Sequence, residues 1–388
     1  MRSRVVVAVA VTVAALGVLA AVAIPVVGSS DAATTEIRVA ADSPVPPETA
    51  PLPASVRPLW TAPAGPGAPP TGPVEGPTAV VTGSDRVAGL DPATGRERWS
   101  YRRGNARLCG WTARDGVVLA LFAKSSGCRD LVALDAATGS RRWYRTVEVT
   151  GDAVLTSGPG VAIVTAGPQL VAVDTATGLN RWTYAGDGCP LDPVVVGRSA
   201  AATVARCPGG ELRLVGHDAY ADKAAWTIPQ PTGSDPRVVA AEEEIAVLTR
   251  AGGRPVLTGY VPAEGKDGKP VGRRVGSVAD ARLAYSGGPA AAVTDGQVVV
   301  VWTGRAAVAV DGQTRRVLWS APASGPPALA EGQVLLAGAG RLTIRPVVEG
   351  RPARAVAVRG GGVPEGAALS RIGRLVVAAG ADRLTAFG

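Results

Sequence analysis

The sequence is short of the residues that most often carry chemistry. Its 388 residues include one His, one Met, and only two Asn, at Asn105 and Asn180. One His excludes a multi-His metal site and leaves no second imidazole for a relay. Lysine is scarce as well: Lys124, Lys223, Lys266 and Lys269 are four of 40 basic residues. No dense basic run with interleaved aromatics occurs, so nucleic acid is not an expected partner. The formal net charge of +8 permits an anionic partner without demanding one.

What is abundant sets the class. Apolar residues make up 46%, enough to fill a sizeable core. Gly (50) and Pro (32) are both frequent, which points to many turns and few long helices.

Arg2 and Arg4 precede an unbroken apolar run from Val5 to Val27. As a helix this run would reach about 34 Å, enough for a bilayer core. A cleaved signal usually has a shorter apolar segment, so the length fits a transmembrane signal anchor better. Both readings export the rest of the chain, to the extracytoplasmic side of the membrane or into the medium. No Cys follows the run to carry a lipid. The expected organisation is a cytoplasmic stub (1–4), the membrane segment (5–27), a Pro-rich linker (28–54) and a repeat domain (55–388). Twelve prolines between Asp42 and Thr78 suggest an extended spacer.

The remainder repeats. Leu90-Asp91-Pro-Ala-Thr-Gly95 leads to Trp99, Asp135 and Gly139 to Trp143, and Asp174 and Gly178 to Trp182. Weaker copies pair Asp218 with Trp226 and Asp311 with Trp319. In all five the Trp stands eight residues after the Asp, where chance would give about 0.4 such pairs. The unit reads as a hairpin. Alternating Leu131-Val132-Ala133-Leu134 is a strand, the Asp hydrogen-bonds the turn backbone, and the Gly takes positive φ. The Trp then opens the next strand and buries its face on the neighbouring unit. With a second apolar pair upstream, such as Val117–Leu121, each unit has four antiparallel strands, A to D.

Four-stranded units every 40–45 residues are the pattern of a β-propeller. The motif resembles the PQQ-type repeat family, found in quinoprotein dehydrogenases and in the propeller lipoprotein of the outer-membrane β-barrel assembly machine. Strand C is expected to end near Asp91, Asp135, Asp174, Asp218, Tyr260, Asp311, Pro346 and Gly388. Seven strand Ds follow, at Trp99, Trp143, Trp182, Trp226, near Val271, Trp319 and near Val356. The eighth is expected from the N-terminal segment 55–62, with Trp60 as deeply buried as Trp99. The fold is therefore an all-β, eight-bladed propeller.

Dehydrogenases of the family bind PQQ and calcium and carry adjacent cysteines, acidic and amide ligands and a catalytic Asp. None of that set is evident here, so no cofactor, metal or catalytic residue is assigned. Glu242-Glu243-Glu244 reads as a solvated turn, Gly360-Gly361-Gly362 as a flexible connection, and His217 as a structural residue beside Asp218. Cys109/Cys128 and Cys189/Cys207 form two local pairs, each expected to bracket strands A and B of one blade. In an exported chain an even count favours disulfides.

The resemblance implies a monomeric, non-catalytic interaction module of the cell envelope, with other envelope proteins as partners. The alternative is a ligand receptor or enzyme using the central channel. Strand directions put the A–B and C–D turns on one face and the B–C and D–A loops on the other. The turn face carries Arg96, Arg98, Arg141, Arg142, Arg181, Lys223, Arg315 and Arg316 against Glu97 and Asp222, a rim of about +6. That rim is the expected contact with anionic lipid. Disulfides and longer loops (100–107, 124–129, 229–236) fall on the opposite face.

Overall fold

The computed structural model describes residues 34–42, 50–65, 72–285, 291–348 and 353–388. These form eight sheets. Seven blades span 74–103, 107–146, 153–185, 195–230, 237–279, 291–322 and 328–358, and the eighth joins 368–387 to 58–63. Strand A of every blade touches strand A of the next, and blade eight returns to blade one, so the ring is closed. The Val5–Val27 run lies outside the described residues. Among the described residues no helix is long and apolar enough to cross a membrane.

The inner strands follow from β-branched and small apolar residues at nearly every position. Val161–Ala166 is buried at all six residues, and Val117–Lys124 is buried at all but the last. A blade is packed on both faces by its neighbours, so alternation gives way to continuous apolar runs. Each strand-D Trp lies across the sheet from a small residue of strand C. The pairs are Gly89–Trp99, Ala133–Trp143, Ala172–Trp182, Gly216–Trp226, Ala309–Trp319 and Ala386–Trp60. A side chain on Gly89 or Gly216 would collide with the indole.

Blade closure uses the N-terminal segment, with two differences from expectation. Pro58–Pro63 pairs antiparallel with Arg383–Phe387 as strand D of blade eight. Ser55 and Val56 instead pair in parallel with Ala357 and Val358, on the outer edge of blade seven. Trp60 is also only half-buried, whereas Trp99 is fully buried. Strand D of blade one is covered by a fifth strand and Pro58–Pro63 is not, but edge position alone does not expose Trp60, since Trp182, Trp226 and Trp319 are buried in outermost strands.

That fifth strand, Thr35–Arg38, comes from the stretch expected to be a linker and pairs with Ser100–Arg103. Leu52 is buried too. With Val56 it packs between blades seven and eight, against Val356, Val358, Phe387 and their neighbours. Blade seven has no strand-D Trp, and these two side chains help fill the gap. Arg354 Nη1 and Arg371 Nη2 donate to the Leu52 and Ala50 carbonyls at 2.8 and 2.6 Å.

Both disulfides are present, 109–128 and 189–207, and among the described residues no cysteine is free. Cys189–Cys207 brackets strands A and B of blade four as expected. Cys109–Cys128 does not. Cys109 lies in strand A (Arg107–Arg114) and Cys128 in strand C (Gly127–Asp135), so the bridge staples A to C across strand B. Both strands bulge there, which brings the two sulfurs within reach. Each closed loop of about 18 residues should contribute on the order of 3 kcal/mol. Peptide mapping without reductant should recover these two pairs, and either Cys109→Ala/Cys128→Ala or Cys189→Ala/Cys207→Ala should lower the melting temperature by several degrees. A mutant pair with unchanged melting would show that its bridge adds nothing.

Candidate functional site

The turn face is built from the repeated Asp. Asp91 Oδ1 accepts from the backbone of Ala93 and Thr94 at 3.0 and 2.9 Å. Asp135, Asp174, Asp218 and Asp311 make the same paired contacts in their own turns. Gly95, Gly139 and Gly178 sit at φ near +70°, where a Cβ would strike the Trp of the preceding blade.

That Trp is latched. Trp60 Nε1 donates to Pro92 O, Trp99 to Ala136, Trp143 to Thr175 and Trp182 to Ala219. In each case the acceptor directly follows the turn Asp of the next blade. Trp319 bonds Val347 in the equivalent way. The Asp therefore fixes the carbonyl that receives its neighbour's indole, and the motif joins blades rather than presenting a ligand.

The joint between blades five and six inverts this arrangement. Gly276, not a residue near Val271, holds the Trp position of blade five, paired with Gly259. The opposing turn position, glycine at Gly95, Gly139 and Gly178, is Arg315 at φ +56°. Its side chain fills the space beside Gly276 and binds both oxygens of Glu244 at 2.5 and 2.6 Å. Glu242 accepts from the Arg198 backbone at 3.1 Å. The acidic run is thus partly a blade-to-blade clamp and not simply a solvated turn.

These pairings overturn the expected rim of about +6. Arg142 bonds Asp135 at 2.7 Å, Lys223 bonds Asp218 at 2.7 Å, and Arg181 pairs with Asp174. The five turn aspartates, Glu97, Asp222 and Glu244 match the eight cations, so this face has no excess positive charge. Burial pushes Asp135, Asp174 and Asp218 upward. The backbone donors of the turn with Arg142, Arg181 and Lys223 outweigh that and hold all three below the usual carboxylate range.

On the loop face two of the expected long loops are strands. Strand D of blade one runs to Arg103, and strands B and C of blade two meet in a tight hairpin at 125–126. Longer connections lie at 186–194, 231–236 and 359–367. Beside the hairpin is a buried ionic cluster with no sequence signature. Arg103 Nη1 meets Asp130 Oδ2 at 2.9 Å, Lys124 Nζ reaches the same oxygen at 3.3 Å, and Thr146 Oγ1 donates to Oδ1 at 3.3 Å. The Arg103 guanidinium lies over Phe122 and Tyr144.

His217 is walled in between blades three and four. It stacks on Trp182 with centroids 4.6 Å apart and meets Tyr184 edge-on at 4.7 Å. Its Nε2 has no hydrogen-bond partner, and burial pushes its pKa down to about 4. The sign follows directly. The unfolded chain takes up a proton near pH 6.5 and the folded chain does not, so stability is full above 6.5 and is lost as pH falls toward 4. The loss should be about 2 kcal/mol at pH 5, or about 3 °C for a domain of this size. The turn aspartates weaken the fold only below their ordinary range, so the window is separable. Melting from pH 7 to 5 should fall in the wild type and stay flatter in His217→Phe; parallel curves would refute the assignment.

Among the described residues no group of three or more His, Cys, Asp or Glu could hold a metal ion. The four cysteines are spent in two separate disulfides, neither between adjacent residues. The described residues do not fit PQQ with calcium. A cavity of about 300 Å³ lies on the outer flank of blade one, lined by Glu36, Arg38, Arg86, Ser100 and Arg102. It exists because the fifth strand is there, and it is open and ion-paired.

A family model described as outer membrane protein assembly factor BamB matches residues 52–185 and 111–282. The chain belongs to this family. BamB from Moraxella catarrhalis superimposes with a TM-score of 0.52 at 17% identity, covering 86% of this chain and 99% of that one. The computationally designed Ika8 protein superimposes at 0.58 with 12% identity, covering 85% and 98%. Such low identities show the propeller fold alone. A curated relative, the serine/threonine-protein kinase AfsK of Streptomyces griseus, is 31% identical over 125 residues, 29% of this chain and 15% of the kinase. This PQQ-like propeller therefore matches only a small part of that kinase's length.

Proposed function

We propose that the chain is an exported, membrane-anchored and monomeric interaction module of the cell envelope, without catalysis. Membership in a family described as an assembly factor carries this reading. The chemistry-bearing residues support it. The turn aspartates cap their own turns, the tryptophans latch blades, Glu244 clamps Arg315, and His217 is sealed between aromatic rings. Function then falls to loops on a rigid scaffold, where binding residues commonly sit. Proximity labelling from the full chain in its native membrane should enrich a reproducible set of extracytoplasmic proteins. Labelling confined to cytoplasmic proteins would refute the export. A thermal shift with PQQ and calcium would refute the non-catalytic reading.

A further inference from the structure

We propose that the loop face of the ring, on the arc from blade six through blade one to blade two, is the surface laid against an anionic lipid bilayer. The proposal rests on the membrane-anchored reading and reverses the orientation expected from sequence. Tether length carries it, and the charge of the loop face is compatible with it.

Val27, the last residue of the apolar run, is seven residues before Thr34, where the chain is already fixed: the Thr34 carbonyl accepts from Gly104 N at 2.9 Å. Gly104 closes strand D of blade one, at the loop-face end. From there Thr35–Arg38 climbs antiparallel to strand D, and Ala40 N reaches Thr138 O in a C–D turn of blade two. The chain thus leaves the bilayer, meets the loop face first and the turn face last. Seven residues span at most about 25 Å. Strand D of blade one, with seven residues, is itself about 24 Å long. With the turn face against lipid, the tether would have to run fully extended past the whole blade. With the loop face against lipid it is slack. The linker expected over 28–54 is cut to a short leash by the docking of Thr35–Arg38.

The loop face also offers cations to the lipid. Arg107, Arg305, Arg341 and Arg359 all lie at the loop-face ends of strands on this arc, all are exposed, and none has a carboxylate partner among the described residues. Asp152 and Glu365 are the exposed acids without an ion pair nearby. On the turn face Arg142, Arg181, Lys223 and Arg315 are committed to carboxylates, while Arg96, Arg114, Arg141, Arg198, Arg316 and Arg374 are exposed without a pair beside the equally unpaired Asp222, Glu243 and Asp295, so charge suits both faces and tether length decides between them. Uncommitted cations are the ones a lipid phosphate can take without breaking an internal pair.

The test uses the full chain reconstituted into vesicles of phosphatidylcholine with phosphatidylglycerol, carrying a headgroup energy-transfer acceptor. A donor dye is placed on Ser84→Cys, in the B–C turn of blade one, or on Ala93→Cys, in the C–D turn of the same blade. Transfer from position 84 should exceed that from position 93 severalfold. Inserting 20 Gly/Ser residues after Gly28, together with Arg107→Glu, Arg341→Glu and Arg359→Glu, should erase the difference. Equal or reversed transfer, in protein retained after a carbonate wash, would overturn this orientation while leaving the anchor intact. Release by the wash would instead overturn the anchored reading, and the orientation with it.

Discussion

Deleting residues 50–63 should lower the melting temperature by about 15 °C or abolish folding. The segment supplies strand D of blade eight, the outer strand of blade seven, and three apolar side chains, Leu52, Val56 and Trp60. Losing a buried Leu costs about 2–5 kcal/mol and a Trp about 3–5, before the lost ladder hydrogen bonds are counted. For a domain of this size 10 kcal/mol corresponds to about 15 °C. The ring would also open. Strand C of blade eight would expose an unpaired edge, and such edges aggregate. A milder variant separates closure from strand loss: Leu52→Ala keeps every strand and should cost about 2–4 kcal/mol. A deletion that melts like the parent chain would show that the N-terminal strand does not close the ring.

Arg103→Ala should be the most damaging substitution of a charged residue, at about 3–5 kcal/mol. It leaves the buried Asp130 carboxylate with only Lys124, itself partly exposed, and Thr146. It also removes the guanidinium from over Phe122 and Tyr144. Replacing both partners, as in Arg103→Met with Asp130→Leu, should recover most of the loss, because no orphan charge remains. Chemical denaturation of the two variants beside the parent decides the matter. If the double variant is as unstable as the single one, the pair is needed for more than charge compensation.

The sequence by itself determined the blade number and the five hairpins that run from Asp to Trp. It did so because Asp, Gly and Trp each answer a local demand: a turn acceptor, a positive φ, and a large face beside a small residue. Asp135, Gly139 and Trp143 show this, lying within one hairpin and its immediate neighbour. Local demands leave a period in the sequence. The pairing of the cysteines was legible for the same reason, since each pair is local.

Only the tertiary structure decided what depends on contacts between distant segments. Arg103 and Asp130 are 27 residues apart with no motif at either. Glu244 and Arg315 are 71 apart, and the arginine takes a position that the repeat assigns to glycine. Leu52 lies in a proline-rich stretch whose composition reads as spacer, yet the gap between blades seven and eight draws it in. Thr35–Arg38 is four ordinary residues until the outer edge of blade one offers it a ladder. The charge of the turn face was misjudged because counting arginines along the chain omits the aspartates that the fold sets beside them. Composition records how many charges a protein has, and the fold decides which of them remain free.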